Sequence, residues 1–337
     1  NFVDYQGTGM SLIEMSHRDR IFDDIHHETL TLLREVYRVP DDFHIVFIQG
    51  GATFQFGMIP MAFLRKGDSA DFILTGIWVK KAHADAAIVG NANIIWDGKA
   101  DNYTRIPAQS ELQCTPGAAY VHICTNETIG GIQWQYFPET GGIPIVADMS
   151  SDVLSRPIPW EKFGLVFAGT QKNLAPAGLA IVFIRKDFAG KARTDLPAYL
   201  RFDLHIKEHS LYNTPPTFIV WMMNLTLKWL KSMGGLDAIV KLRDRKADLL
   251  YNAIDASGGF YRTNIPKDSR SKMNIVWRMQ SEELEKKFAE EATKEGLDGL
   301  KGHRSVGGLR ASVYNAMPLE GVKAVVDFMA RFKEKYG

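Results

Sequence analysis

At 337 residues the chain can bury a large core and is long enough for two domains. Forty Lys and Arg balance thirty-nine Asp and Glu, so charge gives no reason to expect a nucleic-acid or membrane partner. Two cysteines, Cys114 and Cys124, are too few for a disulfide framework and suit a reducing compartment, with the cytoplasm as the expected location.

In chain order, residues 1–20 contain Gly7-Thr8-Gly9, but no strand precedes them and the third glycine of a dinucleotide loop is missing. Residues 21–37 have the periodicity of an amphipathic helix, stopped by Val39-Pro40. HIVFIQ predicts a strand, Gly50-Gly51-Ala52-Thr53 a tight turn, and FQFGMIPMAFL a helix despite Pro60. A strand, a turn of small residues and a helix N-terminus present free N–H groups to an anion, though the signal is generic. ADFILTG is a second strand, and Trp78 opens the helix WVKKAHADAAIVG. NANIIW and AAYVHIC continue the strand series, with Cys124 reading as a small core residue.

Residues 143–185 hold three apolar runs of buried-strand length, IPIVA, FGLVFAG and GLAIVFI. Asp148 stands where the first run stops, and Lys172 follows the second. An acid and a lysine, each just past a strand of one apolar sheet, can face the same pocket at the strand ends. That pairing suits pyridoxal phosphate, whose aldehyde forms a Schiff base with a lysine and whose pyridinium nitrogen pairs with a carboxylate. Spacing alone leaves a second reading open, in which Asp148 caps a turn and Lys172 is a solvated loop residue.

From residue 186 to His209 the chain reads as polar and irregular. In LYNTPPTF, Pro215-Pro216 stiffens the backbone and holds Asn213 and Thr214 extended. His205 and His209 have helical spacing but no third ligand nearby, so no metal is expected. Residues 218–257 read as helix with a break at Gly234-Gly235; the apolar stretch 218–230 is too short to span a bilayer. Beyond residue 264 come the strand MNIVWRM, a helix over 281–295, the run GLRASVYN and a closing helix after Pro318. This division predicts a large domain over 21–257 and a small α+β domain over 258–337. Residues 1–20 are expected to join the small domain and the active site.

The blocks AGTQKNLAPAGL, NETIGGI, SLYNTPPTF, KGHRSVGGLRAS and YNAMPLEGV resemble the signatures of the phosphoserine aminotransferases, class-V enzymes of pyridoxal-phosphate fold type I. They fall in the family's order from Gly7 to the C-terminus. The resemblance implies an α/β fold, a mostly parallel seven-stranded sheet with helices on both faces, plus the small C-terminal α+β domain. It implies pyridoxal 5'-phosphate as cofactor and transamination between glutamate and 3-phosphohydroxypyruvate, giving phosphoserine and 2-oxoglutarate. It further implies a homodimer with shared active sites. Lys172 is then the Schiff-base lysine and proton shuttle, and Asp148 the partner of the ring nitrogen. Trp78 stacks on the ring, Thr128 reaches its phenolic oxygen, and Ala52, Thr53 and Gln171 help to position it. Asn213 and Thr214 reach the cofactor phosphate of the other protomer. His17, Arg18, His303, Arg304 and Arg310 bind the anionic groups of the substrates.

The chain departs from the family at one turn. Many members carry GGGRG or GGCGQ-like sequences where this chain has Gly50-Gly51-Ala52-Thr53-Phe54-Gln55. Threonine in place of arginine implies a weaker hold on substrate phosphate unless another basic group compensates. The family's opening loop and helix precede Asn1 of this sequence, so contacts made there are not assigned. Two competing readings stand beside this one: another fold type I enzyme, such as an alanine–glyoxylate aminotransferase or a cysteine desulfurase, and a catalytically silent relative. A desulfurase needs a cysteine on a mobile loop, and a silent relative has no need of both Lys172 and Asp148.

Overall fold

The computed structural model describes residues 2–337. Its first half comprises α1 (Arg20–Tyr37), β1 (Phe43–Gln49), α2 (Gly51–Phe63), β2 (Ser69–Leu74), α3 (Ile77–Val89), β3 (Asn91–Asp97), β4 (Val121–Cys124), the short pair β5 (Asn126–Glu127) and β6 (Ile132–Gln133), and β7 (Ile145–Asp148). There follow β8 (Phe163–Gly169), β9 (Leu179–Arg185), α4 (Lys186–Ala189), α5 (Phe202–Lys207), α6 (Thr217–Ser232) and α7 (Gly235–Asp255). The chain closes with β10 (Asn274–Trp277), α8 (Glu282–Lys294), β11 (Leu309–Ser312) and α9 (Leu319–Tyr336).

Seven strands form one sheet in the order β1-β9-β8-β7-β4-β2-β3. The pairs from β3 through β2, β4 and β7 to β8 are parallel, and β9 runs antiparallel to both β8 and β1. The apolar runs of the central strands are continuous because helices cover both faces, so neither side of β4, β7, β8 or β9 meets water, whereas the edge strand β3 is partly exposed. In β8, Val166 and Ala168 belong to one core while Leu165 and Phe167 belong to the other. Apolar residues of α1 and α6 close the first face, and those of α2 and α3 close the second. This is the mostly parallel seven-stranded architecture that the resemblance implied.

A third core lies among α7, α8, α9 and the antiparallel pair β10–β11. Helix α7 serves two cores: Leu236 and Ile239 pack with the sheet, whereas Leu250 and Ile254 pack in the third core. Tyr5, Leu12 and Met15 enter the first core rather than the third, and the Tyr5 ring lies edge-on to Trp221 of α6. The stretch after residue 186, expected to be irregular, contains α4 and α5. Their anchors are Phe188 and Phe202, whose ring centroids lie 4.2 and 5.7 Å from that of Phe63. Among the described residues no helix is long and apolar enough to cross a membrane.

Candidate active site

The carboxyl ends of the parallel strands open onto a cavity of about 430 Å³. Its lining brings together Ala52, Thr53, Trp78, Thr128, Asp148, Gln171 and Lys172 from five separate stretches of sequence. It also includes residues that the sequence reading passed over as site groups: Asn126, Ser150, Ser151 and Cys124. Two of these had a signal, because polar serines directly after a buried strand that ends in an acid face the same mouth as the acid.

Asp148 ends β7 and is 4% exposed. Ser150 donates to its Oδ1 twice, from the backbone N–H at 2.8 Å and from the hydroxyl at 2.6 Å. The same hydroxyl oxygen accepts the N–H of Gly169 at 3.0 Å, which ties the ends of β7 and β8 together. Both bonds to Asp148 fall on one oxygen and leave Oδ2 for a donor in the cavity. Burial raises the carboxyl pKa, opposed by the Ser150 bonds and by Lys172.

Lys172 Nζ donates to Thr128 Oγ1 at 2.6 Å and stands 5.7 Å from the centroid of the Trp78 ring. Its turn is pinned from two sides. Asn173 donates to the Val153 carbonyl at 2.9 Å and accepts the Asn315 N–H at 3.0 Å, so a residue from the chain's C-terminal quarter helps to hold the lysine loop. Opposite, Gly50 and Gly51 have φ of +100° and +65° at the entry to α2. A Cβ on Gly50 would meet Phe54 Cβ at 2.8 Å, so glycine is required there for both conformation and space. No side chain caps α2, and its first N–H groups are open to an anion. The left-handed residues are the two glycines, and Phe54 is helical, as its side chain requires.

The substrate-binding candidates are dispersed. His303 and Arg310 line a second cavity of about 250 Å³, together with Arg262 and Arg278 and with Tyr103 and Ile129. Arg310 Nη1 reaches the Thr128 carbonyl at 3.5 Å, linking this cavity to the first, and its buried Nε has no partner among the described residues. Arg304 is exposed and borders a different groove, with Glu282, Glu283 and Lys286. His17 and Arg18 precede α1 and line neither of the two cavities; Arg18 is exposed. Asn213 and Thr214 are also exposed and dock on Gln49 at the end of β1, outside the first cavity. The Asn213 amide donates to Gln49 Oε1, and Gln49 Nε2 donates to the Thr214 carbonyl at 2.5 Å.

The donor set of the first cavity fits pyridoxal phosphate. It offers an amine for the aldehyde, a buried carboxylate with a free oxygen for a protonated ring nitrogen, an indole face, and an uncapped helix N-terminus for the phosphate.

The aminotransferase class-V family model matches residues 1–325. The phosphoserine aminotransferase of Niallia circulans is 49% identical over 336 residues, covering 100% of this chain and 93% of that protein. That of Herpetosiphon aurantiacus is 49% identical over 334 residues, covering 99% of this chain and 93% of that one. The solved structure of phosphoserine aminotransferase from Bacillus circulans subsp. alkalophilus superposes with a TM-score of 0.97 at 49% identity, over 100% of this chain and 93% of that one. A match of this extent makes the chain a member of the class-V aminotransferase family.

Proposed function

We propose that the chain is a phosphoserine aminotransferase that moves the amino group of glutamate to 3-phosphohydroxypyruvate, with pyridoxal phosphate as its cofactor. The observation that carries the proposal is the convergence of Lys172, Asp148 and Trp78 on one cavity, in a chain with full-length phosphoserine aminotransferase relatives. When bound, the cofactor supplies an aldehyde that exchanges amines and a ring that accepts the electron pair freed at the substrate Cα. Lys172 would hold the aldehyde through its Nζ, and as a free amine the same Nζ would take the proton released at the substrate Cα. Thr128, at 2.6 Å, keeps that amine inside the cavity. Asp148 would bind a protonated ring nitrogen, and Trp78 would lie against the ring and exclude water. The α2 N-terminus at Ala52 and Thr53 takes the phosphate, with Gln171 beside it. Arg310 and His303 take substrate carboxylate and phosphate at the domain junction.

The same proposal includes a homodimer. His17, Arg18, Arg304, Asn213 and Thr214 lie outside the cofactor cavity of a single protomer, and a shared site draws such residues from a second one. It includes the division at about residue 258, supported by the third core, and cytoplasmic residence, supported by two unpaired cysteines. The desulfurase reading lacks a nucleophile. Cys124 ends β4, is 3% exposed, and burial holds its thiol pKa far above the ordinary value. Burial also raises Cys114.

The test is a substrate panel on the purified protein, pairing glutamate with phosphohydroxypyruvate, hydroxypyruvate or glyoxylate, and assaying cysteine for sulfide release. Turnover with phosphohydroxypyruvate far above the others is expected. Equal use of hydroxypyruvate would refute the phosphate reading.

A further inference from the structure

We propose that Glu127 is a positioning residue, a remote carboxylate that clamps the first turn of α3 and thereby fixes Trp78 against the cofactor cavity. That Trp78 stacks on pyridoxal phosphate rests on the functional reading above; the clamp itself does not.

Helix α3 begins without a side-chain cap of its own, since its N-cap is Gly76. The missing acceptor comes from 49 residues further along the chain. Glu127 Oε2 accepts the N–H of Trp78 at 3.2 Å, and its Oε1 accepts the N–H of Val79 at 3.2 Å. A two-oxygen acceptor at a helix start satisfies two of the amides that the helix leaves free, and its charge lies at the positive end of the helix dipole. The fit is close: a Cβ on Gly76 would stand 2.4 Å from Glu127 Cδ. The backbone does not demand glycine here, because φ of 175° is extended and open to any residue. Gly76 is therefore small to admit Glu127.

Burial argues that the carboxyl has a task. Glu127 is 1% exposed, and burial pushes its pKa up to about 7, so a neutral residue of similar shape would be cheaper to bury. Its neighbours give the reason for the position. Asn126 donates to Ser151 Oγ at 2.7 Å and to Asn274 Oδ1 of β10 at 2.8 Å, and Thr128 accepts from Lys172. Three consecutive side chains thus reach the small domain, the helix carrying Trp78, and the reactive lysine. The glutamate sets the distance between the aromatic wall and the amine, with Trp78 and Lys172 held 5.7 Å apart.

Glu127→Ala, Glu127→Gln and Trp78→Ala test this, alone and in the double variant Glu127→Ala/Trp78→Ala. Amide exchange of the apo-protein reads the clamp without any cofactor. Exchange at Trp78 and Val79 is expected to speed at least tenfold in Glu127→Ala and less in Glu127→Gln, which keeps one acceptor oxygen. Titration of pyridoxal phosphate is expected to show a tenfold or larger rise in Kd for Glu127→Ala, with kcat lowered and the KM for glutamate nearly unchanged. The Kd of the double variant should match that of Trp78→Ala, because residues acting through one contact are not additive. Unchanged exchange at the two amides overturns the clamp, and full additivity with Trp78→Ala overturns its action through the indole. If Glu127→Ala does not fold, Glu127→Gln decides by the same measurements. A failed substrate panel leaves these readouts intact, so the two proposals fall separately.

Discussion

The wall that carries Lys172 and the turn that carries Arg304 are built to opposite plans. On the wall, Asp148, Ser150, Asn126 and Glu127 are buried, and their hydrogen bonds stitch the strand ends to one another and to β10. The turn after residue 302 is exposed, and its contacts are few: Ser305 shares a hydrogen bond with His303 Nδ1 at 2.7 Å, and Arg278 donates to the Val306 carbonyl at 2.8 Å. Electrostatic groups that serve a bound ring gain from fixed geometry in a dry site. Groups that admit and release a charged substrate gain from remaining in water until it arrives.

Lys172→Ala should give the largest effect. Loss of the covalent amine and the proton carrier is expected to lower kcat by about a thousandfold or more while the fold is kept. Borohydride reduction of the wild-type holoenzyme followed by peptide mapping should label Lys172, and a label on another lysine ends the assignment.

The buried wall should also show itself in stability against pH. Glu127 has a folded pKa of about 7 against an ordinary value near 4.5, raised by burial, opposed by the Trp78 and Val79 amides, raised by Asp148 and lowered by Lys172. A raised folded pKa means that the unfolded chain releases its proton first. The resulting penalty on folding grows from about pH 4.5 to about pH 7 and is constant above that. Relative to Glu127→Gln, the wild-type apo-protein should lose about 3 kcal/mol of stability across this window. Denaturant titrations at pH 5 and pH 8 check it; equal differences at both values would contradict a raised pKa.

On the exposed side, Arg304→Ala should raise the KM for phosphohydroxypyruvate by about ten- to a hundredfold, from about 1.5–3 kcal/mol for a charge-assisted bond, without altering the cofactor spectrum. An unchanged KM would assign the phosphate to His303 and Arg310 instead. The smallest expected effect is a gain. Thr53 sits exposed in the first turn of α2, and Thr53→Arg should lower the same KM about tenfold by adding one charged contact worth about 1.4 kcal/mol. A KM raised with a native cofactor spectrum would show that the turn directs position 53 elsewhere.

Where pattern and chemistry coincide in a short stretch, the sequence alone was sufficient. The apolar runs of β7, β8 and β9 are strands whichever partners they take, because chains of that length and composition are buried on both faces. Asp148 and Lys172 stand just past such runs, which lets them share one mouth, and the parallel pairing of β7 and β8 brings them there. Gly50-Gly51 likewise announces a turn that only glycine can make.

Tertiary structure decided the rest, because the deciding contacts join residues distant in sequence. Asn126 and Glu127 sit in a motif legible as a turn, and nothing local says that their side chains reach β10 and α3. The basic residues show the converse. His17, Arg18 and Arg304 have the right chemistry for anions, yet they lie outside the first cavity, because their position depends on where loops land. The opening segment packs on α6 because Tyr5, Leu12 and Met15 find an apolar face there, a surface that exists only once the helices have assembled. Composition and period specify elements; distances between elements arise from packing, which no single stretch encodes.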